Sequence, residues 1–174
     1  MKHFFKLVSI FYFFTFLFSA SVFANTTPIK FESQGSKLSM GLGSLPICWM
    51  FDSGCSTIVS GNSNSTNLEN GGFNASFNTV WLNHSTSNGD HGWCAPTTGT
   101  VILTDSKNQT LYMNFSGSMC DTGGAFSFHH TLNGSFVITG GTGNYFLASG
   151  NGSFTSDDES GLSYEAKGTL ILNQ

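Results

Sequence analysis

Through much of this chain apolar and polar residues alternate one by one. Phe73, Ala75, Phe77, Thr79 and Trp81 are separated by Asn74, Ser76 and Asn78; Leu162, Tyr164, Ala166, Leu170 and Leu172 are set against Ser163, Glu165, Lys167 and Thr169. Successive side chains of a strand point to opposite faces, so a period of two predicts half-buried strands over 73–81 and 162–172. The same pattern predicts strands near 98–105 and 110–117, joined by the polar turn DSKNQ, with Leu111, Met113 and Phe115 on one face. Phe126, Phe128 and His130 share a face, as do Phe136 and Ile138 beyond a turn at Leu132-Asn133-Gly134, and 148–155 pairs with 162–172 across SDDES. The tracts 60–72 (SGNSNSTNLENGG) and 83–97 (NHSTSNGDHGWCAPT) are polar and glycine-bearing and are expected as exposed loops. A strand over 45–51, ending at the turn Asp52-Ser53-Gly54, is predicted in the otherwise weakly patterned segment 25–61. Short, regularly spaced strands without a helical period predict an all-β antiparallel barrel or sandwich.

Residues 134–154, GSFVITGGTGNYFLASGNGSF, read as a strand, a glycine turn, a short bend and a second strand. Gly140, Gly141, Thr142, Gly143 and Tyr145 are the expected structural turn, since glycine supplies positive φ and close backbone approach. The run from Phe136 to Tyr145, followed by Ala148 and Gly150, resembles the GGTG-plus-aromatic segment of small β-barrels of the dirigent and allene oxide cyclase type. CAPTTGTVILT and GSMCDTGG are similar to segments preceding that phrase in uncharacterised secreted bacterial proteins. The resemblance covers roughly residues 92–174, and residues 25–72 take no part in it. It implies a single antiparallel barrel of about eight strands with a lumen open at one end. It also implies relatives that act on small apolar molecules, but their acidic and basic pocket residues have no clear counterparts here. The expected organisation is a signal peptide over 1–24, an irregular segment with one or two strands over 25–72, and a barrel body over 73–174.

The leader expectation rests on Lys2 and Lys6, the apolar run Leu7–Phe18, and the small-residue pattern Val22 and Ala24 before a cut at Asn25. That run is shorter than a bilayer span, so no stable membrane segment is expected after cleavage, and the destination is secreted or periplasmic. Beyond residue 24 the chain has four lysines, no arginine and ten acidic residues, a net charge of −6. This argues against nucleic acid and phosphate-rich partners, which clustered Arg and Lys usually grip. In an exported chain Cys48, Cys55, Cys94 and Cys120 point to disulfides. Of three pairings, the expected one joins Cys48 to Cys55 across a short loop and Cys94 to Cys120 across neighbouring strands.

Three functional readings follow. If the alternating faces turn into a barrel, Trp81, His130 and Tyr164 are polar handles in an apolar lumen, suited to a small apolar ligand with one or two hydrogen-bonding groups. The opposing expectation is a packed core with a satisfied histidine. The second reading is enzymatic: ICWMFDSGCSTIVS, 47–60, is similar to the hydrophobic-Asp-[Ser/Thr]-Gly motif of aspartic peptidases. Two carboxylates must share a proton there, so Asp52 would act only in a homodimer. The second element of that family is not recognisable in TLILNQ, and DSG also makes an ordinary turn beside Cys55. The third reading is a surface or carbohydrate interaction protein using exposed aromatics such as Trp93 or Tyr112. His84, Asp90, His91 and Cys94 lack zinc spacing and a second cluster, so neither metal nor cofactor is expected. Sequons at Asn25, Asn64, Asn74, Asn83, Asn108, Asn114, Asn133 and Asn151 would be glycan acceptors in a eukaryotic pathway, but an Asn- and Ser-rich chain generates many by chance.

Overall fold

Alternation becomes a closed wall when each strand finds partners on both edges. The computed structural model describes residues 27–36, 38–41, 55–80, 85–86, 93–121, 130–157 and 162–173. Its strands are β1 (Ile29–Gly35), β2 (Ser39–Gly41), β3 (Cys55–Ser65), β4 (Glu69–Thr79), β5 (Ser85–Thr86), β6 (Trp93–Thr104), β7 (Thr110–Asp121), β8 (His130–Gly141), β9 (Ser149–Asp157) and β10 (Ser163–Ile171). The order β1-β10-β9-β8-β7-β6-β4-β3 returns to β1 through Ser33 opposite Ser65 and Gln34 opposite Asn64. The protein is thus an all-β, closed, eight-stranded antiparallel barrel; β2 pairs with β3 beyond the seam, and β5 with β6. Among the described residues no helix is long and apolar enough to cross a membrane.

The seam between β1 and β3 is short, and the β3–β4 turn extends it. Thr66 N–H donates to Glu32 O at 2.9 Å and Asn67 Nδ2 donates to Lys30 O at 2.6 Å. The ring is also staggered. Starting at Asn70 on β4, the paired neighbours run Asn64, Gln34, Glu165, Thr155, Asn133, Ser118 and Pro96. Val80 N–H then donates to Pro96 O, so the circuit re-enters the first strand ten residues further along, from 70 to 80. Eight strands enclose an interior that side chains can fill.

Phenylalanine rings pack at its centre among leucines and smaller aliphatic side chains. Phe31 packs edge-on against Phe136 at 5.7 Å, Phe77 against Phe115 at 5.4 Å and Phe115 against Phe154 at 5.4 Å. Inward glycines make the space. A Cβ at Gly117 or Gly134, which face each other across β7 and β8, would lie 2.7 Å from Phe115 Cζ, and one at Gly152 would lie 2.6 Å from Phe136 Cζ. The Phe136 ring takes the room that Gly152 leaves.

Three sequence expectations are corrected here. The tract 60–72 is not a loop: residues 60–65 lie in β3 and 69–72 in β4, with the turn confined to 66–68. Asn62, Asn64 and Asn70 are the wet side of a wall, while Ser63 and Ser65 are buried and Leu68 enters the core. Leu132-Asn133-Gly134 is no turn either, but a continuous part of β8 in which Gly134 accommodates the Phe115 ring. Likewise the expected loop 83–97 gives up its end to β6, which starts at Trp93 and buries Ala95 and Thr97. In each case cross-strand bonds outweigh a weak local turn preference.

The same geometry accounts for the sequons. Residues i and i+2 of a strand share a face, so outward Asn-Xaa-Ser repeats follow from an Asn/Ser-rich outer wall. Asn64, Asn74, Asn114, Asn133 and Asn151, on strands, are all exposed, as is Asn108 in the turn between β6 and β7. Asn25 and Asn83 lie outside the described residues.

Candidate functional site

The inner wall places Tyr164 deep in the barrel, 3 % exposed. Its ring stacks on Phe73 at 4.1 Å and on Phe154 at 5.6 Å. Its hydroxyl is hydrogen-bonded to Ser33 Oγ at 2.8 Å, and Ser65 Oγ donates to Ser33 Oγ at 2.7 Å. The phenol is therefore supplied with partners from β1, next to the seam, and the chain Tyr164–Ser33–Ser65 ties β10, β1 and β3 together. His130 has the same inward parity as Leu132 but lies at the start of β8, where it is half-buried. Leu132 is opposite Ser156, and Ser156 is opposite Tyr164, which sets His130 beyond that row at the end of the barrel. Trp81 lies outside the described residues, as do Cys48, Asp52, His84, Asp90 and His91, and nothing is described of the Cys55 or Trp93 side chains.

At the opposite end of β8, Gly140 has φ of 126° and Gly143 of 57°, both in the region that favours glycine. Thr142 N–H donates to Thr110 O, and a short 3₁₀ turn, Gly143–Tyr145, follows. Tyr145 anchors it by donating to Asn67 O at 3.3 Å and to Asp105 Oδ2 at 3.4 Å. Asp105 also accepts from the backbone N–H of Lys107 and Gln109, so one buried carboxylate fixes two adjacent turns. Phe146 and Leu147 after the turn are exposed.

The disulfide between Cys94 and Cys120 joins directly opposed residues of β6 and β7, with S–S 2.06 Å. Among the described residues no group of three or more His, Cys, Asp or Glu could hold a metal ion.

The outer wall carries an open groove of about 1220 Å³. Outward side chains Gln34, Asn62, Asn64, Asn70, Asn133 and Glu165 line it, with Thr131, Thr155, Asp157 and Ser163 around them and Ser63 and Tyr164 behind. Amides both donate and accept, hydroxyls do likewise, and the two carboxylates accept. Among the described residues the groove lining contains no Lys, while Glu165 is paired with Lys167 at 2.6 Å. Asn62, Asn64, Asn70 and Asn133 belong to stretches that the sequence presents as loop or turn. Their signal was the i, i+2 spacing of Asn62 with Asn64 and of Asn133 with Ser135.

No known protein-family model matches the chain, and neither does any curated protein.

Burial pushes the hydroxyls of both Tyr145 and Tyr164 up to about 12 from the ordinary value of 10. The neighbouring Asp105 carboxylate adds to the rise at Tyr145, whereas serine hydrogen bonds oppose it at Tyr164. Below pH 10 both phenols are protonated folded and unfolded, so this contribution is fully present; above it the unfolded chain gives up protons first, and stability falls until the folded values near 12 are passed. Circular dichroism between pH 9 and pH 12.5 is expected to show stability falling across that interval. Tyr164→Phe, compared with wild type at each pH, should flatten the loss; an unchanged slope would contradict the assignment.

Proposed function

We propose that this chain is an exported β-barrel that binds a neutral polyhydroxylated ligand, a carbohydrate, on its outer wall. The observation that carries this reading is the groove over the β1–β3 seam, whose described lining consists of amides, hydroxyls and acceptor carboxylates and includes no lysine. Vicinal sugar hydroxyls donate and accept at once, which is what side-chain amides match. Export is supported by the leader-like residues 1–24 and by the Cys94–Cys120 bridge, which suits an oxidising compartment. Kinship with dirigent and allene oxide cyclase barrels remains part of the proposal, supported by the eight-stranded ring and the Gly140–Gly143 turn. The ligand is assigned to the wall rather than the lumen because packed aromatic rings, Phe31 and Tyr164 among them, occupy the middle of the barrel, and the Tyr164 hydroxyl is hydrogen-bonded to Ser33.

A glycan array probed with residues 25–174 tests the reading. Wild type is expected to bind neutral glycans, and Gln34→Ala combined with Asn64→Ala, both exposed positions, to abolish the signal while leaving the fold intact by circular dichroism. A silent array, or equal binding by the double variant, overturns it. Raised thermal stability with a panel of small apolar ligands would return the ligand to the lumen.

A further inference from the structure

Within the groove the polar side chains form a line. Asn70, Asn64, Gln34, Glu165, Thr155 and Asn133 are successive register partners on β4, β3, β1, β10, β9 and β8. All six are exposed on the outer face and all six line the groove. Neighbouring strands lie about 4.8 Å apart, so the line extends over roughly 24 Å along the sheet. That spacing is close to the length of one pyranose unit in a linear glycan.

Resting on the carbohydrate reading above, we infer that the ligand is an extended neutral polysaccharide lying across the strands, with about one sugar unit per strand. A single sugar reaches two of these side chains, whereas a chain of several units reaches the whole line. No aromatic side chain stands in the line, so no one subsite offers a stacking platform, and affinity must accumulate from many weak polar contacts. Charge narrows the polymer further. Glu165, paired with Lys167, stands in the line and Asp157 beside it, so the anionic groups of uronic acid and sulfated polymers would meet carboxylates and no lysine among the described lining residues.

Isothermal titration with β-1,4-linked glucose oligomers, dimer through hexamer, and with the α-1,4-linked series in parallel, tests the inference. For a series that binds, affinity is expected to rise by about tenfold or more from dimer to hexamer. Asn70→Ala and Asn133→Ala, at the two ends of the line, should each weaken the hexamer several-fold and leave the dimer unchanged. A dimer that binds as tightly as the hexamer, or end variants that bind the hexamer like wild type, would overturn the extended site while leaving the carbohydrate reading standing. If neither series binds and the glycan array is silent as well, both fall.

Discussion

Phe154→Ala is expected to destabilise the barrel by about 3–5 kcal/mol, the usual cost of removing a fully buried ring that cannot be refilled. Phe154 is 1 % exposed and touches three other rings, Phe77 at 6.0 Å, Phe115 at 5.4 Å and Tyr164 at 5.6 Å. These neighbours belong to β4, β7 and β10, so the cavity would open where separate parts of the wall meet. Collapse around it is limited because the Phe115 ring already rests on Gly117 and Gly134, and Tyr164 is held by Ser33. Against a total stability of about 5–15 kcal/mol, the loss brings the variant close to unfolding. Urea denaturation followed by circular dichroism measures it, with Val137→Ala as the control, since Val137 is 54 % exposed on the outer wall. A loss below about 1 kcal/mol for Phe154→Ala would mean that the rings do not form one continuous core.

Removing the Cys94–Cys120 bridge is the second large effect. The cysteines are 26 residues apart, and closing a loop of that size in the unfolded chain is worth about 3.5 kcal/mol in the chain-entropy account. The measured loss should fall somewhat below that, because residual pairing between β6 and β7 already restricts the unfolded chain. The bridge faces outward in the row that continues to Thr131 and Asp157, so Cys94→Ala with Cys120→Ala leaves no hole in the core. In guanidinium unfolding the double variant is expected to show a lower midpoint. Reductant should shift wild type toward it, and a wild-type midpoint equal to that of the double variant without reductant would show that the bridge contributes nothing.

Much of the wall was legible in the chain. The strand with Phe73, Phe77 and Thr79 inward, the DSKNQ turn, the final hairpin and the Cys94–Cys120 pairing all follow from period two and from turn residues. The groove was not. Asn62, Asn64 and Asn70 lie in a tract whose composition favours turns, and nothing local distinguishes a polar loop from a strand whose inward positions are glycine and serine. The inward set there, Gly61, Ser63 and Ser65, has no apolar signal because Tyr164, Ser33 and Leu38 fill the space above it. The break misread at Leu132-Asn133-Gly134 has the same origin: Gly134 looks like a turn residue until the Phe115 ring on the opposite strand is seen to need the space.

By itself the sequence determined which residues of each apolar-alternating strand share a face, because that depends only on the pleat of one chain segment. Only the tertiary structure decided register and closure, because a strand's partner is chosen over long sequence separations, as when Gln34 meets both Asn64 and Glu165. One-residue slips would exchange inside for outside, so register is fixed by how rings and glycines fit across the barrel rather than by any single strand. That fit packed phenylalanine rings into the lumen and left the amides aligned on the outside.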